Sequence, residues 1–291
     1  MIEFSVNTRG VKVDQWCDPP TVYLDHWAWR RISESSVLVK RFSAALKSQG
    51  GTLVFSWLNL IEFSKVSDEQ QARKADAFLD EILPHVFILN PNFFRVIEAE
   101  DELLNGGVPI APHADLVSLK FFAKHNLTRH NSLKLLPSQN LFGLTSTGEI
   151  SAHFDGFADQ IVGHIESLRH DFNASHEFSL AVKRIPKGQP TQCGTRYIAR
   201  ELLGSMLMNK SVKADRHHAI DICHAVVPVA YCDYVLLDGH WATQVERARK
   251  RIKDGGLLFP IAKVYSEKRD GLESFFRKLE GGMNGSVPSV E

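Results

Sequence analysis

Thr21-Val22-Tyr23-Leu24-Asp25 is the segment on which the fold turns. Its apolar, strand-favouring side chains end in a carboxylate, the pattern of a short buried strand with a polar group at its carboxyl end. Working outward, a helical stretch follows, then a second from Ser36 to Ser48, where Val37, Leu38, Phe42, Ala45 and Leu46 lie near helical spacing. Gly50-Gly51 ends it, because glycine tolerates the positive φ of a helix terminus. Thr52 to Phe55 reads as a second buried strand, and Ser56 as the N-cap of a helix carrying Leu58, Ile61, Glu62 and Lys65. A further helix is predicted from an N-cap aspartate, Asp68, to Leu83, halted by Pro84, with a third strand from Val86 to Leu89. Strand, helices, strand, helices, strand is the order of a parallel sheet flanked by helices.

Beyond this block the pattern is uneven. Residues 1–20 read as an N-terminal extension broken by Pro19-Pro20. Residues 105–190 mix helical pieces, Asp115 to His125 and Phe157 to His170, with loop signals such as Asn105-Gly106-Gly107. They are expected to form a largely helical insertion or cap inside a domain spanning 21–255. Helices are predicted from Thr195 to Met208 and from Asp215 to about Ala230, where Pro228 should kink the second or end it early. Asp233 to Asp238 reads as a fourth strand and Trp241 to Ile252 as the helix after it. Residues 256–291 are expected to hold a C-terminal helix near Leu272 to Leu279 and a flexible tail.

Length and composition narrow the function. The chain has 291 residues, 44% hydrophobic and 23% charged, enough for a full globular core. Lys+Arg and Asp+Glu both number 34, so no global positive field exists to hold nucleic acid non-specifically. Contact with nucleic acid would have to be local and brief. The four cysteines, Cys17, Cys193, Cys223 and Cys232, form no CxxC pair and are too sparse for a disulfide framework. Neither a signal-peptide pattern at Met1-Ile2-Glu3-Phe4-Ser5 nor an apolar run of about 18 residues is present, so a cytoplasmic setting without membrane contact is expected. No G-x-x-x-x-G-K-[ST] or G-x-G-x-x-G motif occurs, which argues against ATPase and dehydrogenase readings.

Four acids carry the chemical reading. Asp25 and Asp238 each close an apolar strand, and ligands of open parallel sheets collect beyond the carboxyl ends of the strands. Glu62 lies about two turns into the helix after strand two, and Asp221 about two turns into the helix before strand four. Carboxylates gathered together repel one another, and a divalent cation such as Mg²⁺ or Mn²⁺ removes that repulsion. Taken singly, Asp25 and Asp238 are also good helix N-caps, Glu62 a surface glutamate, and Asp221 a partner for Arg216 or Lys213.

The ordered set resembles the PIN domain family of metal-dependent nucleases. Thr21-Val22-Tyr23-Leu24-Asp25 looks like the family's first strand and first acid. Phe55-Ser56-Trp57-Leu58-Asn59-Leu60-Ile61-Glu62-Phe63 is similar to its strand, serine and helix-borne glutamate. Asp221-Ile222-Cys223-His224-Ala225 followed by Tyr231-Cys232-Asp233-Tyr234-Val235-Leu236-Leu237-Asp238 resembles its third acid, last helix and final strand. The resemblance implies a three-layer α/β/α sandwich with a central parallel sheet. It also implies one or two Mg²⁺ or Mn²⁺ ions held by Asp25, Glu62, Asp221 and Asp238, and hydrolysis of single-stranded RNA. It leaves room for an antitoxin-type protein partner and for a homo-oligomer. The chain departs from the pattern in its long span between Glu62 and Asp221 and in lacking threonine before Asp238, which leaves Asp233 as the other candidate for the fourth acid.

Other residues suggest additions and rivals. His217, Asp221 and His224 fall at i, i+4 and i+7 on one helical face, a spacing that suits a zinc- or manganese-type site but also ordinary surface histidines. His26 is a candidate substrate contact, and Trp27 and Trp29 suit either base stacking or core packing. His170-Asp171 copies a dipeptide of all-helical metal phosphohydrolases, which the strands argue against. Arg247, Arg249, Lys250 and Arg251 make the helix after Asp238 basic, as a phosphate-binding or a solvated face. Two alternatives therefore stand beside the ribonuclease. One is a module of the same fold that binds RNA or protein without cutting. The other is a small-molecule metallohydrolase built on the histidine-bearing helix.

Overall fold

The computed structural model describes residues 1–7, 10–64, 69–107, 111–116, 119, 149–187, 194–209, 214–268 and 270–281. Five strands form one parallel sheet: β3 (Thr21–Leu24), β4 (Thr52–Phe55), β5 (Val86–Ile88), β6 (Tyr234–Leu236) and β7 (Lys263–Tyr265). Their order is β5-β4-β3-β6-β7. The registers pair Val22 with both Leu53 and Tyr234, so β3 is central. From β3 the chain steps outward to β4 and β5, then returns to the other side of β3 as β6. The crevice at the carboxyl ends of β3 and β6 is therefore a topological switch point, where open sheets of this kind bind ligands.

Alternate strand residues face opposite cores. Tyr23, Val54, Phe87 and Val235 point one way, and Val22, Leu24, Leu53, Phe55 and Leu236 the other. The second face is covered by α1 (His26–Ser33), α2 (Ser36–Ser48), α4 (Glu69–Ile82) and α11 (Gly271–Gly281). The first is covered by α3 (Trp57–Ser64), α5 (Phe93–Asn105), α6 (Glu149–Ala174), α8 (Gly194–Met208), α9 (Arg216–Tyr231) and α10 (Gly239–Asp254). A short α7 (His176–Lys183) follows α6. This is an α/β fold with helices on both faces of a parallel sheet, compatible with a three-layer sandwich. Among the described residues no helix is long and apolar enough to cross a membrane.

Several elements differ from the sequence expectation. The N-terminal extension is an antiparallel hairpin of β1 (Ile2–Asn7) and β2 (Gly10–Gln15). It buries Ile2 and satisfies sheet-edge groups, with Ile2 N donating to Pro84 O (2.9 Å) and Ile88 N to Gln15 Oε1 (2.9 Å). An edge strand leaves a row of unpaired amides, and the hairpin covers part of it. Residues 256–281 contain β7 as well as the C-terminal helix; the expected tail from 282 onward lies outside the described residues. Pro228 does not end α9 early, because it sits within the last turn and the amide of Cys232 still bonds to the Pro228 carbonyl at 2.9 Å. Of the span read as an insertion, α6 sends Phe157, Ala158, Ile161 and Ile165 into the core shared with the sheet. The expected helix from Asp115 to His125 lies mostly outside the described residues, as does the Asp68 cap.

Candidate metal centre

Asp25 leaves β3 at the switch point and caps α1, its carboxylate accepting from His26 N at 2.7 Å. Glu62 reaches the same point from α3. The start of that helix is set by Asn59, whose Oδ1 accepts from Ser56 N (2.9 Å) and Ser56 Oγ (3.3 Å). Asn59 Nδ2 then donates to Leu24 O at 3.0 Å, fastening the start of α3 to the strand residue before Asp25. The third participant is His224 on α9, which is 2% exposed. Its Nε2 lies 3.4 Å from Glu62 Oε2. One donor atom from each of Asp25, Glu62 and His224 falls within 4.8 Å of the others, with the two acids half-buried.

That spacing fits a cation. Two donors each about 2.0–2.2 Å from one ion stand at most about 4.4 Å apart, a separation of the order found here. The donor set, two carboxylates and an imidazole, is that of a divalent metal.

Asp221 and Asp238 stand beside the trio. Burial raises the Asp221 pKa, His224 opposes the rise, Asp238 and Glu62 add to it, and the Trp241 side chain hydrogen-bonds to it. Asp238 caps α10, accepting from His240 N (2.7 Å) and Trp241 N (2.9 Å). The fold thus brings Asp25 and Glu62 together with His224, and places Asp221 and Asp238 within electrostatic reach. Asp233 stands at the opposite end of the sheet. Its Oδ2 accepts from Thr21 N (2.8 Å) and Thr21 Oγ1 (3.0 Å), joining the beginnings of β3 and β6. His217 is exposed, and His26 Nδ1 lies 3.9 Å from Glu62.

The basic run is divided. Arg249 bonds to Glu246 and to the carbonyls of Ile261 (3.1 Å) and Ala262 (2.5 Å), holding α10 to the segment before β7. Arg251 pairs with Glu201, whose side chain is 4% exposed, and reaches Lys183 O and Arg184 O at 3.1 Å. Both lie more than ten residues along α10 from Asp238, roughly 16 Å or more at 1.5 Å per residue. Arg247 and Lys250 are exposed.

The electrostatics of the metal-free site centre on His224. Burial lowers its pKa, but Glu62, Asp25 and Asp221 outweigh burial and push it up to about 9. Burial pushes Asp25 up to about 7, with His224 opposing the rise and Glu62 and Asp221 adding to it. At neutral pH an imidazolium therefore sits among carboxylates, as an internal substitute for a cation. Both folded pKa values exceed the ordinary values of 3.8 and 6.5 for these side chains. The stability each contributes is full below those ordinary values and is lost as pH rises through about 7 and then about 9. A ligating carboxylate and imidazole must both be deprotonated, so binding a metal expels these protons. The rise in melting temperature caused by Mn²⁺ over chelator should therefore grow from pH 5.5 to pH 8.5. Thermal melts across that range check this, and an Mn²⁺ effect independent of pH would separate the ion from these two residues.

No family model, curated protein or solved structure matches the chain.

Proposed function

We propose that the chain is a PIN-like, metal-dependent endoribonuclease that hydrolyses phosphodiester bonds of single-stranded RNA. The observation that carries the reading is the convergence of Asp25, Glu62 and His224 at the carboxyl ends of the central strands, with Asp221 beside them. The strand order and the places of the acids along it support the PIN resemblance, and single-stranded RNA as substrate rests on that resemblance. Asp25, Glu62 and His224 would hold the ion, either Mg²⁺ or Mn²⁺. When bound, such an ion supplies positive charge to a phosphoryl oxygen and acidifies water. Asp221 and Asp238 add negative charge that favours a cation over an anion in the cleft.

A small phosphoester is a second reading of the substrate. It is favoured by the use of Arg249 and Arg251 in internal bonds, which removes two of the residues expected to grip a polynucleotide. The test is to incubate metal-stripped protein with Mn²⁺ or Mg²⁺ and two substrates, a single-stranded oligoribonucleotide and bis-p-nitrophenyl phosphate. Metal-dependent cleavage inside the RNA is expected. Turnover of the small ester alone would move the assignment to the second reading, and turnover of neither would remove the enzyme reading.

A further inference from the structure

A carboxylate-only site for Mg²⁺ needs no imidazole, yet His224 is buried in this one and held from behind. Its Nδ1 is hydrogen-bonded to the Tyr23 hydroxyl. Tyr23 is 1% exposed on the central strand, beside the side chains of Ser56 and Asn59. Ser56 Oγ donates onward to Asn59 Oδ1 at 3.3 Å, and Asn59 Nδ2 is committed to Leu24 O. A tyrosine hydroxyl can accept one proton while donating its own. If Tyr23 accepts from Nδ1–H, the Nε2 lone pair is left facing outward. Nε2 is buried, makes no hydrogen bond of good geometry, and faces Glu62. Metal-ligating histidines are fixed in this way, by a partner on the ring nitrogen that does not touch the metal.

We infer that the centre is a mixed nitrogen and oxygen site for a first-row transition-metal ion rather than for Mg²⁺, with His224 Nε2 as its selecting ligand and Tyr23 as the residue that positions it. The inference rests on the metal-centre reading above and deepens it. Mg²⁺ takes oxygen ligands and gives up its waters reluctantly, whereas imidazole suits the later divalent ions. His26 is the rival nitrogen, but its Nδ1 is 3.9 Å from Glu62 against 3.4 Å for His224 Nε2.

The test uses the full chain, metal-stripped, without substrate. Calorimetric titration with Mn²⁺ and with Mg²⁺ should show Mn²⁺ binding tighter by about tenfold or more. Pulsed electron paramagnetic resonance of the Mn²⁺ form should show coupling to an imidazole ¹⁴N nucleus. His26→Gln should keep that coupling and His224→Gln should lose it. Tyr23→Phe retains the ring and its packing, so it should keep the fold while weakening Mn²⁺ about tenfold, the scale of a lost outer partner, and leave Mg²⁺ nearly unchanged. Wild-type protein that binds both ions alike with no nitrogen coupling would overturn the role of His224 while leaving an acidic metal site in place. Coupling lost in His26→Gln but kept in His224→Gln would overturn it as well. Protein that binds neither ion would overturn the metal-centre reading itself. Cleavage is not among these readouts, so absence of ribonuclease activity would not bear on the inference.

Discussion

Asp25→Asn is expected to reduce metal-dependent RNA cleavage by about a thousandfold or more, the rate equivalent of losing several kcal/mol of charge stabilisation. The substitution keeps the shape of the side chain and its bond to His26 N, because asparagine caps helices about as well as aspartate. It removes a carboxylate from a crowded acidic cleft. Melting in chelator at pH 8 should therefore be unchanged or raised, while the Mn²⁺-dependent rise in melting temperature shrinks. Activity and stability move in opposite directions, which a general folding defect cannot produce. Cleavage that survives in purified Asp25→Asn at the wild-type rate would assign the activity to another site or to a contaminant.

Arg251→Met should cost about 3 kcal/mol of stability, the low end of the range for stranding one member of a buried ion pair, since Arg251 itself is a third exposed. Glu201 would keep a nearly buried carboxylate with only Arg200 nearby, at 4.0 Å. Lys250→Met, one residue earlier on the exposed side of the helix, should change stability by less than about 0.5 kcal/mol. Denaturant titrations of the two variants measure the contrast. Adding Glu201→Leu to Arg251→Met should restore much of the loss, because removing both charges relieves the stranded one. Equal stability of the two single variants, with only Arg251→Met defective in RNA binding, would return Arg251 to a substrate-binding role.

These arginines show where reading the chain stops. A run of basic residues on a helix after an acidic residue is visible in sequence, but its orientation depends on Glu201 on another helix and on carbonyls of the segment before β7. The four strands that were legible are runs of buried apolar residues with a helix on either side. β7 was not, because Lys263-Val264-Tyr265 is three residues long and only one of them is buried. The N-terminal hairpin was hidden for a different reason. Ile2-Glu3-Phe4-Ser5-Val6 alternates as a two-faced strand does, but the proline pair after it reads more loudly as a break.

The acids followed the same division. Asp25 and Asp238 could be placed because a strand end has a defined address in a parallel sheet. Glu62 and Asp221 needed only helical geometry. Asp233 differs from Asp238 by which end of β6 it occupies, and the structure puts it at the far end, bonded to Thr21. His224 was noticed for its spacing from Asp221 and His217, yet the partners that define it are Tyr23 and Glu62, which no spacing within one helix can supply.

The position of β3 has a consequence for synthesis. Its neighbour β4 is made soon after it, but β6 and His224 come late: Tyr23 and His224 are 201 residues apart, and Thr21 and Asp233 are 212 apart. At a translation rate of about 5–20 residues per second, a nascent chain carries Asp25 and Glu62 without His224 for about 8–32 seconds. During that time the central strand lacks its neighbour on one side, and the two acids have no imidazolium between them. Premature termination before α9 would leave a half-sheet with an open edge and an unfinished cleft. Synthesis thus completes the proposed site only once α9 and β6 have emerged, a delay useful to a protein proposed to cut RNA.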